Sequence, residues 1–133
     1  MKRVVDGVER QFFDYAARGA PFGPDDGTVA PWVVVASLPF APEIVVPTAR
    51  HFARLNLGSG IKRYGFKPSF NQTFRVEDSP TGWWVTPYYF GIDQGPVILM
   101  IENYRSGLIW DVMRRCPPIV TGLKRAGFKG GWL

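Results

Sequence analysis

The stretch "GIDQGPVILMIENYRSGLIWDVM", residues 91–113, limits the possible folds more than any other part of the chain. Val97, Ile98, Leu99, Met100 and Ile101 follow one another without a break, the pattern of a helix covered on most sides rather than one with a single oily stripe. Asp93 stands where an N-cap would accept backbone N–H bonds, and Pro96 is tolerated in a first turn. Glu102, Asn103, Tyr104 and Arg105 then come in succession. A carboxylate in so apolar a setting is expensive to desolvate unless it is paired. The block therefore predicts a buried polar network, with Glu102 bound to Arg105 three residues on or to Arg50 from an earlier helix. The helix is expected from Asp93 to about Arg115, with a weak point at Ser106 and Gly107. Pro117 and Pro118 end it, and a short helix from Ile119 to Ala126 follows.

Upstream, "RVVDGVERQFFDYAA" (residues 3–17) spaces Val8, Phe12 and Tyr15 as one side of a short helix, weakened by Gly7. The segment "GAPFGPDDGTVAP" reads as a tight loop, with Asp25 and Asp26 ahead of Gly27 and a helix start near Thr28 to Pro31. "PWVVVASLPF" is apolar on all sides and fits either a buried strand or a buried short helix. Pro42 opens a second helix, along which Ile44, Thr48, Phe52 and Leu55 recur and within which Pro47 is expected to cause a bend. Residues 61–90 look irregular, broken by Pro68, Pro80 and Pro87, with Asn71, Thr73, Trp83, Trp84, Tyr88 and Tyr89 between them. A connection of that length is uncommon and, when ordered, is usually functional.

Composition excludes several classes. The chain has 133 residues, enough for one domain, and its 15 Gly and 12 Pro imply loops that the aromatic residues, 15% of the total, must pin down. One Cys and one His rule out an intramolecular disulfide, multi-thiolate zinc sites and imidazole-rich metal sites, so no metal or cofactor is expected. His51, beside the apolar Phe52, reads as a structural histidine. The net charge of +5 comes from scattered basic residues rather than a stripe, which argues against a nucleic-acid partner. No run approaches the ~18 apolar residues of a membrane span, and no apolar leader follows Met1, so the chain as written is expected to be soluble.

Taken in order, "ARGAP", "DDGTVAP", "ASLPFAPEIVVPTARHF", "YGFKPSFN", "GIDQGPVILMIENYRSGLIWDVM" and "GLKRAGFKGGWL" resemble the carboxy-terminal part of the glycoamylase-like family, from about Tyr15 onward. That family includes bacterial endo-β-1,2-glucanases and a domain of cyclic β-1,2-glucan synthases. The resemblance implies a mainly α fold: a partial (α/α)6 toroid, carboxy-terminal hairpins only, with a long aromatic-rich loop. Residues 1–133 would then be a carboxy-terminal fragment of such a domain. It implies part of a glycoside hydrolase or transglycosylase acting on bacterial β-glucan, most plausibly β-1,2-linked, with the general acid expected in the amino-terminal part of the domain. The alternative is a non-catalytic, carbohydrate-binding remnant. It also favours a periplasmic or secreted location.

Glycoside hydrolysis normally takes two carboxylates on either side of one bond, about 5 to 9.5 Å apart. Asp93 and Glu102 are nine residues apart, and on a straight helix that means about 13.5 Å of rise and opposite faces. Each is therefore judged alone: Asp93 as an N-cap or as a base at the cleft mouth, Glu102 as a network member with a weaker claim to catalysis. Asp25 and Asp26 fit either a cleft wall or a helix cap. Trp83, Trp84, Tyr88 and Tyr89 have the faces that stack on sugar rings or pin the loop, and Gln94 suits sugar hydroxyls. The expected partner is an oligo- or polysaccharide. Helices apolar on most faces also predict self-association through whatever apolar surface stays bare.

Overall fold

The computed structural model describes residues 2–13, 16, 22–23, 25–55, 57, 64–131 and 133. In chain order the elements are β1 (Lys2–Val5), β2 (Val8–Gln11), α1 (Pro31–Ala36), α2 (Pro42–Arg54), β3 (Phe70–Arg75), β4 (Trp83–Val85), α3 (Gly91–Ser106), α4 (Leu108–Arg114) and α5 (Pro117–Arg125). The fold is mainly α, part of an (α/α) toroid, with two small antiparallel hairpins and an aromatic-rich segment between α2 and α3.

The amino-terminal helix expected over residues 3–17 is instead the β1–β2 hairpin, with Val5 opposite Val8 and Val4 opposite Glu9. Asp6 (φ 53°) and Gly7 (φ 77°) both adopt the left-handed backbone of a two-residue hairpin turn. Asp-Gly between valines is the local signal that outweighed the helical spacing. Tyr15 lies outside the described residues. Phe12, just past the hairpin, is buried against Phe74 (ring centroids 4.1 Å apart) and the edge of Trp84 (4.8 Å).

"PWVVVA" forms a helix, begun by Pro31 at its first position, and α1 packs against both α2 and α3. Pro42 opens α2 in the same way, and the helix continues past Pro47 to Arg54. Of the expected stripe, Phe52 is buried and Leu55 packs partly buried against the core, but Ile44 is 63% exposed and its neighbour Val45 is buried instead. Phe52 anchors the core with Leu57 and Phe70, and its ring meets Phe66 (6.1 Å) and Phe70 (5.6 Å) edge-to-face.

Residues expected to be irregular hold the β3–β4 hairpin, in which Phe70 pairs with Val85 and Asn71 with Trp84 before the register shifts toward Arg75. Val29 extends this sheet through reciprocal bonds to Phe70 (2.9 and 3.0 Å).

The weak point expected at Ser106 and Gly107 is a helix break: Gly107 has φ 71° and separates α3 from α4. Asn103 spans the break. It is 4% exposed, its backbone carbonyl accepts from Gly107 N (2.9 Å), and its Oδ1 accepts from Trp110 N (3.1 Å). The expected network around Glu102 is therefore half right. Glu102 does meet Arg105 (3.7 Å) and accepts from Ser106 Oγ (2.6 Å), but at side-chain exposures of 35% for Glu102 and 73% for Arg105. The buried polar residue of the block is Asn103, because its short amide can satisfy the backbone at the break while the longer ionic pair stays in water. No Arg50 contact to Glu102 is present among the described residues. α5 starts at Pro117, two residues before the expected Ile119, because prolines are tolerated in a first turn; it packs on α4, and neither helix has a buried residue.

Candidate functional site

The start of α3 organises the site. Phe90 is the extended N-cap and Gly91 the first helical residue, so Asp93 is the third residue of the helix and not its cap. It is 2% exposed, and its Oδ2 is buried with no hydrogen-bond partner among the described residues. Desolvation raises its pKa above the ordinary 3.8. The positive end of the α3 dipole opposes that shift without supplying a bond to Oδ2.

Gln94, the next residue, lines a cleft of about 170 Å³ between α1 and α3, together with Trp32, Val35, Gly65, Phe66 and Val97. Among these lining side chains Gln94 is the polar one. Its amide both donates and accepts, and Trp32 and Phe66 supply aromatic surface, so the cleft suits a small ligand with an apolar face and a hydroxyl-bearing edge. Gly65 has the left-handed backbone (φ 75°) that favours glycine, and a Cβ there would only touch Gln94 Oε1 at 3.5 Å, an ordinary contact distance. Trp32, Gly65 and Phe66 were missed by sequence reasoning. A tryptophan just inside a proline-started helix was the readable hint, but nothing in the sequence says that residues 65–66 come to meet it.

Beside the cleft, Tyr89 stands edge-on to Tyr64 (5.6 Å), and Lys67 Nζ lies 3.8 Å from the Tyr89 ring centroid while donating to Pro87 O (2.7 Å). The Tyr89 hydroxyl is buried without a partner among the described residues, and Tyr88, 66% exposed, leans on Phe90 (6.3 Å). Tyr88, Tyr89, Asp93 and Gln94 thus belong to one neighbourhood at the α3 start.

Asp25, Asp26, Trp83 and Trp84 belong to the hairpin side. Asp26 does not cap α1, whose N-cap is Ala30. Its carboxylate accepts from Thr28 N and Phe13 N (3.1 Å each), which closes the loop and ties the β1–β2 exit to it. Asn71, 1% exposed, donates to the Asp26 carbonyl (2.7 Å) and Thr28 Oγ1 (3.1 Å) while its Oδ1 accepts from Thr73 N, Thr73 Oγ1 and Phe74 N. So fully engaged an amide specifies packing. Asp25 is exposed, Trp84 packs on Phe12, and Trp83 Nε1 is buried without a partner among the described residues.

Glu102 and Asp93 share the continuous helix α3, which keeps them about 13.5 Å apart along its axis and on opposite faces. They do not form a pair across one bond. No group of His, Cys, Asp and Glu among the described residues could hold a metal ion, and no described helix is long and apolar enough to cross a membrane.

With this geometry in place, the comparisons with known proteins converge. The sequence pattern of the Glycoamylase family, described as "Putative glucoamylase", matches residues 3–117. The match starts earlier than Tyr15 and stops before "GLKRAGFKGGWL". The chain is 36% identical over 102 residues to an exo β-1,2-glucooligosaccharide sophorohydrolase (non-reducing end) of Parabacteroides distasonis, covering 76% of this chain and 13% of that protein. Among solved structures, a "putative glucoamylase" of Bacteroides uniformis matches at TM-score 0.63 and 39% identity, over 82% of this chain and 24% of its own. An endo-β-1,2-glucanase of Chitinophaga pinensis, in complex with sophorotriose and glucose, matches at TM-score 0.63 and 31% identity, over 90% and 27%. The chain therefore spans about an eighth to a quarter of the length of these relatives.

Proposed function

The chain belongs to the Glycoamylase family, and on that premise we propose that it forms one wall of the sugar cleft of a glycoside hydrolase domain acting on β-1,2-linked glucooligosaccharides. The observation that carries this reading is the α1–α3 cleft, which Gln94 lines together with Trp32 and Phe66; Gln94 directly follows Asp93, whose Oδ2 is buried without a partner among the described residues. In this reading Trp32 and Phe66 pack on the C–H face of a glucosyl ring and Gln94 bonds its hydroxyls. Asp93 is the candidate base: it precedes Gln94 in α3, outside the residues that line the cleft, and burial leaves its carboxylate more basic than an ordinary aspartate. Inverting and retaining chemistry both need a second carboxyl within about 10 Å, and Glu102 is too far along α3 to supply it. Residues 1–133 would act as one part of a glycoamylase-like domain, and the second reading, binding without catalysis, follows if no other carboxyl reaches the cleft.

Calorimetric titration with linear β-1,2-glucooligosaccharides, paired with a reducing-sugar assay on linear β-1,2-glucan, tests both readings. Binding without turnover by the isolated chain is the expected result. Turnover would place a complete acid–base pair within these residues, and no binding at all would remove the cleft from consideration.

The bare helix faces lead to another expected outcome. Ile92 (79%), Ile98 (66%) and Leu99 (45%) of α3 and Leu108 (50%) and Val112 (59%) of α4 are exposed, five large apolar side chains on two consecutive helices. Size-exclusion chromatography with light scattering should show concentration-dependent self-association, reduced by Ile98→Lys with Val112→Lys. A sharp monomer peak at all concentrations would contradict it.

A further inference from the structure

The α1–α3 cleft, at about 170 Å³, is well below the roughly 300 Å³ and upward of pockets that enclose drug-sized ligands, and its space is on the scale of one sugar ring. An oligosaccharide seated in it must continue over the rim. Tyr64 directly precedes Gly65, a lining residue of the cleft, and is 58% exposed yet edge-on against Tyr89 at 5.6 Å. Tyr89 is in turn fixed by Lys67, whose Nζ lies 3.8 Å from the ring centroid and donates to Pro87 O at 2.7 Å. The backbone of Lys67 is itself tied to the core, since its N–H donates to the carbonyl of the buried Leu57 at 2.9 Å. An aromatic side chain exposed to solvent but oriented through such a chain of contacts is preorganised to receive a flat, partly apolar ligand.

We propose, on the reading of the cleft given above, that Tyr64 is the stacking platform of a second sugar subsite beside the cleft, and that Lys67 is a positioning residue that holds this platform through Tyr89. The ligand is the next pyranose ring of the glucan chain, with its C–H face on Tyr64 and its hydroxyls in water. Lys67 does not touch the sugar, because its ammonium is engaged by the Pro87 carbonyl and the Tyr89 face.

The test compares glucose, which fills the cleft alone, with a β-1,2-linked trisaccharide, which reaches the rim. Ligand-observed NMR gives both dissociation constants, and circular dichroism confirms that each variant is folded. Wild type should bind the trisaccharide more tightly. Tyr64→Ala should lose about tenfold of that advantage with glucose affinity unchanged, whereas Tyr64→Phe should keep it. Lys67→Met should lose part of the advantage and Lys67→Arg restore it, while Trp32→Ala should weaken both ligands alike. An advantage that survives Tyr64→Ala, with wild type still binding glucose, overturns the subsite and leaves the cleft standing. Wild type that binds neither sugar overturns the cleft and the subsite with it. If Lys67→Met fails to fold, the Tyr64 pair decides.

Discussion

Phe52→Ala is expected to unfold the chain at room temperature or bring it close to unfolding. Phe52 is 5% exposed, meets Phe66 and Phe70 edge-to-face and packs on Leu57, so it links α2, the segment before β3 and β3 itself. Removing a buried phenylalanine side chain costs about 3–5 kcal/mol, through lost transfer energy and the cavity left behind. Whole domains have only about 5–15 kcal/mol of net stability. The buried hydrophobic set here is small among the described residues: Phe12, Val45, Phe52, Leu57, Phe70 and Phe74. Few other contacts remain to absorb the loss. Thermal unfolding followed by circular dichroism should show the midpoint falling by more than about 10 °C or the transition disappearing. Val112→Ala, at a residue 59% exposed, serves as the control and should change stability by no more than about 0.5 kcal/mol. A Phe52→Ala chain that melted within a few degrees of wild type would show that the core is not centred there.

Asp93→Asn should have opposite effects on stability and on sugar chemistry. In the folded chain, burial raises the Asp93 pKa above 3.8, so the native state holds its proton more tightly than the unfolded state does. Between the ordinary value and the raised one the native state binds more protons, and stability therefore falls as pH rises through that window. Below pH 3.8 the carboxyl is neutral in both states and carries no penalty. Above the raised value the ionised group, with Oδ2 buried and unpartnered, costs on the order of 1–3 kcal/mol. Asparagine is neutral at every pH, so Asp93→Asn should flatten this part of the stability–pH profile and raise stability at pH 7 by about 1 kcal/mol. If Asp93 is the base of the cleft, the same change should abolish turnover in whichever assembly is active. Urea denaturation at pH 3.5, 5 and 7 reads the first effect and a reducing-sugar assay the second. A variant less stable than wild type at pH 7 would mean that the carboxylate has a favourable partner, and the functional reading of its burial would fail.

Much of the helical framework is legible locally. Pro42 begins a helix, because a missing N–H costs nothing in a first turn, and Gly107 breaks α3 from α4, because the left-handed backbone there suits a residue without Cβ. The Asp-Gly turn at Asp6 and Gly7 was equally legible and was overridden by the spacing of Val8 and Phe12, a reminder that a two-residue turn signal outweighs three apolar positions in a segment containing glycine. The pairing of Glu102 with Arg105 also follows from spacing alone. Which residue of that block is buried does not, since Asn103 is chosen by the backbone groups that the Gly107 break leaves unsatisfied.

The sequence by itself determined the helix start at Pro42 and the break at Gly107, that charge is scattered and that thiol and imidazole residues are sparse, because each of these depends on a residue and its immediate neighbours. Only the tertiary structure decided that Val45 rather than Ile44 faces the core, that Asp93 is buried without capping its helix, and that Trp32, Phe66 and Gln94 enclose one cleft. Burial and enclosure are properties of surfaces from distant segments that meet, and the order of residues along the chain does not specify which surfaces those are until the chain has packed.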